Sequence, residues 1–140
     1  MKNNKKIKIH IKNNHWAPGS FPSDAKGEKN FTITKEHLDN ALKTFPEIKE
    51  KIEIFIDWDE DNFKSSMSNS DILLAWNFST KNLKKIAPNL KWIHLISAGV
   101  EHLFPLDWMF DGLVLTNNRG AHSKNAGEYG LMSILMLQRH

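Results

Sequence analysis

The segment Asp71-Ile72-Leu73-Leu74-Ala75-Trp76 constrains the fold more than any other stretch of this chain. Its apolar residues do not alternate with polar ones, so as a strand it has no face suited to water. Such a strand belongs inside a parallel sheet, where helices cover both sides. The segments around it agree. Ile7, Ile9 and Ile11 alternate with Lys8, His10 and Lys12, which predicts a first strand with one wetter face. Residues 13–33 read as a long polar loop containing Pro18, Gly19, Pro22 and Gly27. Thr34 is placed to N-cap a helix through residue 45, with Leu38, Ala41, Leu42 and Phe45 at helical spacing and Pro46 just beyond.

A second strand is expected over 52–56, followed by a short helix with Asp59, Glu60 and Asp61 in its first turn, where the helix dipole favours carboxylates. After 71–76, Ser79 caps a small helix carrying Leu83 and Ile86 that stops near Pro88. Strands over 92–96 and 113–116 follow. A helix carrying Leu131, Ile134, Leu135 and Met136 then runs from about Ser123 to the end. Five short strands separated by helices predict an α/β architecture: a flavodoxin-like five-stranded parallel sheet with helices on both faces and right-handed crossovers. No internal repeat or low-complexity linker divides the 140 residues, so one domain is expected.

Composition narrows the function classes. The chain is 40% hydrophobic and 25% charged, ordinary for a globular protein. Its net charge of +3 is concentrated in Lys2, Lys5, Lys6, Lys8 and Lys12. No aromatic interleaving or base-reading motif accompanies that run, so it reads as a solvated N-terminus and no nucleic-acid partner is expected. The absence of cysteine excludes disulfides and thiolate chemistry and suits the cytoplasm, the expected location. No apolar stretch reaches the ~18 residues that cross a bilayer, so no membrane partner is expected. The histidines at 10, 15, 37, 94, 102 and 140 lack metal-ligand spacing, and residues 57–61 lack the glycine turn and final glutamate of a calcium loop; no metal is expected.

In open parallel sheets, ligands bind beyond the carboxyl ends of the strands. Three segments fall there, and each is open to two readings. Ser97-Ala98-Gly99-Val100 either captures an anion on successive backbone N–H groups or is a tight turn that merely needs glycine. Trp76-Asn77-Phe78-Ser79 follows the third strand, and Trp76 is the tryptophan best placed to see a ligand. In the segment after the fifth strand, Arg119 either fixes its loop or meets an anion, and His122 either reaches a reacting centre or simply precedes the helix. Within the last helix, Gly127 and Gly130 each cost about 1 kcal/mol relative to alanine. With Ala126 they make a thin face, for packing either on the chain's own sheet or on a second domain or subunit.

Two stretches, LKWIHLISAGVEHL and LVLTNNRGAHSKNAGEYGLMSILMLQR, resemble the N-terminal part of the D-isomer-specific 2-hydroxyacid dehydrogenases, of the glyoxylate/hydroxypyruvate reductase kind. The resemblance is sharp from about Asp71 onward and faint, though consistent in order, before it. It implies that residues 1–140 are the N-terminal portion of a flavodoxin-like substrate-binding domain. In the family a Rossmann domain is inserted next, and the chain then returns to finish the substrate domain. Residue by residue, the resemblance implies that backbone N–H groups at Ala98 and Gly99 hold the substrate carboxylate, with Val100 adjacent. It also implies that Asn77 and Phe78 lie on the substrate side, and that His122 and Ser123 begin the helix facing the nicotinamide end of the cleft. Glu128 matches an acidic position read as structural.

The departures bear on activity. No GxGxxG is present, and GEYG at 127–130 has the wrong pattern. The family's catalytic arginine, its acidic partner and its histidine have no counterpart here, so no residue is assigned a catalytic role, Arg119 and His122 included. The expectation is a truncated chain without the Rossmann cofactor domain. The intact parent would be an NAD(P)-dependent oxidoreductase transferring hydride between NAD or NADP and a small 2-oxo or 2-hydroxy acid. This chain alone is expected to bind no cofactor, to be inactive, and to form a homo-oligomer such as a dimer through uncovered apolar surface. The alternative is a stand-alone flavodoxin-like module that binds or senses a small anion at the same turn, without catalysis.

Overall fold

The computed structural model describes residues 5–19 and 29–139; Lys2, Pro22, Gly27 and His140, named above, lie outside the described residues. Five strands, β1 (Ile7–Asn13), β2 (Ile52–Trp58), β3 (Ile72–Ala75), β4 (Trp92–Leu95) and β5 (Val114–Asn117), form one sheet in the order β2-β1-β3-β4-β5. Every neighbouring pair is parallel. This is the α/β, flavodoxin-like arrangement expected. Among the described residues, helices connect or follow the strands as α1 (Lys35–Thr44), α2 (Phe63–Met67), α3 (Leu83–Ile86) and α4 (Ser123–Gln138), and residues 29–30, within the expected 13–33 loop, are also helical. Short 3-10 turns occupy Pro46–Lys51, Glu101–Leu103 and Leu106–Trp108.

Register assigns the two faces. His10 pairs with Phe55 and Leu73, Lys12 with Asp57 and Ala75, and Leu73 and Ala75 with Ile93 and Leu95, so these side chains share one face. Phe63 and Met67 of α2, Leu83 of α3, and Ala87, Leu90, Leu103 and Leu113 pack there on Leu73, Ala75, Ile93 and Leu95 to make the core. On the other face, Leu38 and Leu42 of α1 look across a groove of about 400 Å³ onto Ile52, Ile54 and Ile56. Thr34 caps α1 as expected: its hydroxyl accepts from His37 N–H, and the His37 ring accepts from Thr34 N–H.

Three expectations are corrected, and one reading left open is decided. The polar side of β1 is not wet, because the rings of Phe55 and Phe63 close over His10 and the loops carrying Glu60 and Asn77 close over Lys12; both residues are buried. The acidic residues 59–61 precede α2 rather than opening it. Asp57 accepts from Asn62 N–H at 2.9 Å and Asp59 turns back to His15, so the turn is spent on long-range contacts and the helix starts at Phe63. Ser79 does not cap α3: its N–H goes to Glu60 Oε1 at 3.2 Å, and Asn82, in the left-handed region, precedes the helix. Finally, α4 does not lie on its own sheet. None of its residues is buried, and a Cβ at Gly127 or Gly130 would meet nothing within 4 Å.

Candidate functional site

The strand order places a topological switch point between β1 and β3, whose following connections diverge, one to β2 and the other to β4. Crevices at the carboxyl ends of strands open at such points. Lys12, at the end of β1, is buried there. Its ammonium donates to Asn77 O at 2.9 Å and Asn14 Oδ1 at 3.5 Å, and pairs with Glu60 Oε1 at 3.5 Å. Glu60 in turn holds the Ser79 N–H, so one buried cation ties the loops after β1, β2 and β3 together. Asn77 uses its side-chain oxygen to accept from Phe78 N–H at 2.9 Å, closing a tight local turn. Trp76 meets the edges of Trp16 and Phe31, and its carbonyl accepts from His102 Nε2 at 2.8 Å. A carbonyl can only accept, so that ring nitrogen carries the proton.

One strand along, residues 97–100 leave β4. The Ser97 hydroxyl donates to Gly99 O at 2.8 Å, Asn118 N–H donates to Ser97 O at 2.9 Å, and Asn117 Nδ2 donates to Ala98 O at 2.9 Å. Val100 O accepts from Leu103 N–H at 3.0 Å. Four successive carbonyls are therefore used by the protein, whereas the N–H groups of Ala98, Gly99 and Val100 donate to none of the described residues. Ala98 is exposed, and Gly99 and Val100 are half-buried. Consecutive free N–H groups with their carbonyls turned away make a concavity of positive partial charge, suited to a carboxylate. Gly99 has an ordinary backbone, and the group nearest to where its Cβ would lie is the movable end of the Glu101 side chain, whose carboxylate folds back there.

The remaining candidates stand apart from this turn. His122 and Ser123 are exposed at the start of α4, and the Ser123 hydroxyl is engaged with Gly120 O at 2.8 Å. No hydrogen bond joins either residue to 97–100. From the segment after β5, it is Asn117 and Asn118 that brace the turn. Arg119 is exposed. Asn77 and the 97–100 turn lie at the mouths of the adjacent strands β3 and β4, linked by the His102 bond to Trp76. Sequence reasoning missed Lys12 and Glu101. Lys12 was readable only as one of a set of alternating lysines, and nothing local marks Glu101.

Two histidines carry the electrostatics of the strand ends and core. At the rim, the His15 ring stacks on Trp58 at 4.5 Å, its Nδ1 meets Asp59 Oδ2, and its backbone N–H donates to Asp59 Oδ1 at 3.0 Å. Burial pushes the Asp59 carboxyl up, but the His15 bonds outweigh it and hold the group below the usual carboxylate range. In the core, burial lowers His10 from 6.5 to about 4; Asp57 opposes that shift and Lys12 adds to it.

The connection from β5 to α4 has a single glycine, Gly120, and no Gly-rich strand-to-helix turn that would let backbone approach a pyrophosphate. Among the described residues, no group of three or more His, Cys, Asp or Glu side chains is placed to hold a metal ion, and no helix is long and apolar enough to cross a membrane. No family model, curated protein or solved structure matches this chain.

Proposed function

We propose that this chain is the substrate-anchoring part of an NAD(P)-dependent D-2-hydroxyacid dehydrogenase of the glyoxylate/hydroxypyruvate reductase kind, and that its task is to hold the carboxylate of a small 2-oxo or 2-hydroxy acid. The observation that carries this reading is the turn at 97–100, with three N–H groups free among the described residues at the carboxyl end of an interior strand. The N–H groups of Ala98 and Gly99 take the carboxylate, Val100 adjoins them, and the Asn77 loop, held by Lys12, walls the crevice on the β3 side. A carboxylate so held presents the adjacent carbon of the oxo acid in a fixed direction, which is how positioning lowers a barrier. When bound, NAD or NADP supplies the hydride. That group belongs to a dinucleotide-binding domain outside these residues, towards which His122 and Ser123 lead along α4. The parent enzyme is read as cytoplasmic and dimeric, with the exposed apolar residues of α4 meeting a second domain or a second copy.

Two charge-assisted bonds to exposed N–H groups give on the order of 4 kcal/mol, a millimolar dissociation constant. The test is therefore an amide-resolved NMR titration with glyoxylate to tens of millimolar, balanced by chloride. Shifts confined to the amides of residues 98–100 are expected, with no change on adding NADH and no NADH oxidation. Unmoved amides would remove the carboxylate reading. Turnover of glyoxylate by this chain would overturn the assignment of the cofactor to another domain. Anion binding together with a parent reading frame that stops after His140 would favour the stand-alone anion-binding module over the dehydrogenase.

A further inference from the structure

Glu101 lies two residues past the glycine of the turn, and its side chain folds back over it. A Cβ built on Gly99 would stand 3.1 Å from Glu101 Cδ and closer still to Oε2. The carboxylate therefore occupies the space in front of the half-buried Gly99, yet it accepts no hydrogen bond from Ala98, Gly99 or Val100. Glu101 is itself exposed, so nothing packs its side chain into this pose, and the chain can swing outward. Among the described residues no arginine or lysine pairs with it. The turn thus presents free N–H donors and, beside them, an unpaired negative charge.

We infer that Glu101 is a specificity-determining residue of the carboxylate turn: its charge guards the N–H groups of Ala98 and Gly99 and selects monoanionic oxo acids over dianions. This rests on the carboxylate-anchoring reading of the turn. A ligand carboxylate on those donors is taken to stand about 5 Å from the Glu101 carboxylate, near enough for the two charges to repel in water. At that separation in water, the like charge weakens binding of a monoanion about four-fold, and of a dianion, whose second carboxylate lies about 2 Å farther out, about ten-fold. A side chain that merely took up room would penalise both ligands alike. The scaling with ligand charge separates the two roles, and it shrinks with added salt because the pair is exposed.

Glyoxylate and oxalate, similar in size and carrying one and two charges, are the probes. Each is titrated into the full chain, into Glu101→Gln and into Glu101→Ala at low ionic strength, reading the amides of residues 98–100. Glu101→Gln keeps the volume and removes the charge. The expected result is about four-fold tighter glyoxylate and about ten-fold tighter oxalate in Glu101→Gln, with both gains collapsing at 0.5 M salt. Equal gains for the two anions, a gain in Glu101→Ala only, or no gain overturns the selective role of Glu101 while leaving anion capture standing. If neither anion moves these amides in any of the three proteins, anion capture by the turn is refuted and this inference goes with it.

Discussion

His10 gives the sharpest stability prediction. It sits in the middle of β1, fully buried, with its ring 5.5 Å from that of Phe55 and 5.6 Å from that of Phe63. Neither ring nitrogen has a hydrogen-bond partner among the described residues. A neutral imidazole has one N–H to donate and one lone pair to offer, and leaving such groups unmet costs about 1–3 kcal/mol. Desolvation also pushes the pKa from 6.5 down to about 4, so the unfolded chain takes up a proton that the folded chain refuses. Where the unfolded state binds more protons, stability rises with pH. The His10 penalty is therefore absent above about pH 6.5, grows as pH falls towards 4, and is constant below that. A shift of this size converts to about 3 kcal/mol as an upper bound. Phe55 is 44% exposed, so water lies close to the outer side of the ring, and about 2 kcal/mol is expected.

The perturbation is His10→Leu, which keeps a similar bulk and removes both polar atoms. Urea unfolding followed at half-unit steps from pH 7.5 to 4 is the assay. At pH 7.5 the variant should be more stable by about 1 kcal/mol, because apolar surface replaces unmet polar groups. Between pH 6.5 and 4 the wild type should lose about 2 kcal/mol more than the variant. Parallel pH profiles for the two proteins would refute the reasoning. So would a variant destabilised by 2 kcal/mol or more at pH 7.5, since that would mean the ring nitrogens make bonds worth keeping.

Three further outcomes are expected. Thr34→Ala removes the hydroxyl that accepts from His37 N–H and should cost about 1 kcal/mol of α1 stability, read as a several-fold loss of hydrogen-exchange protection confined to α1; unchanged protection would mean the cap contributes nothing. Tyr129, Leu131, Met132, Ile134, Leu135, Met136 and Leu137 on α4 are each about half to four-fifths exposed, more apolar surface than a lone chain ordinarily leaves in water. The wild type should therefore self-associate by light scattering and Leu131→Lys/Leu135→Lys should shift it to monomer, whereas a monomeric wild type would remove α4 as the contact. Gly99→Ala should change stability by less than about 1 kcal/mol, because the group its Cβ meets is the free end of the Glu101 side chain; a loss above about 2 kcal/mol would show that the backbone has to yield instead.

What could be read from the chain divides by how far apart the determining residues lie. The run at 71–76 announced a buried parallel strand because lack of alternation is a property of the run itself. Thr34 announced a cap because its partner His37 is three residues away. From five such local readings the sheet and its class followed. The same method gave the wrong surface for β1, since period two says which residues share a face and not what covers that face; Phe63 of α2 packs on His10, and the loops carrying Glu60 and Asn77 close over Lys12. The acidic turn at 59–61 went wrong for a related reason: Asp59 is engaged by His15, 44 residues earlier. The candidate site lies at the far end of this scale. The sequence around Gly99 shows a turn rich in small residues, which limits the backbone angles on offer but not the use made of its dipoles. Anion capture needs the carbonyls spent and the N–H groups free. That balance is set from β5, where Asn117 takes the carbonyl of Ala98 from 19 residues down the chain, and no pattern within the turn itself could have announced it.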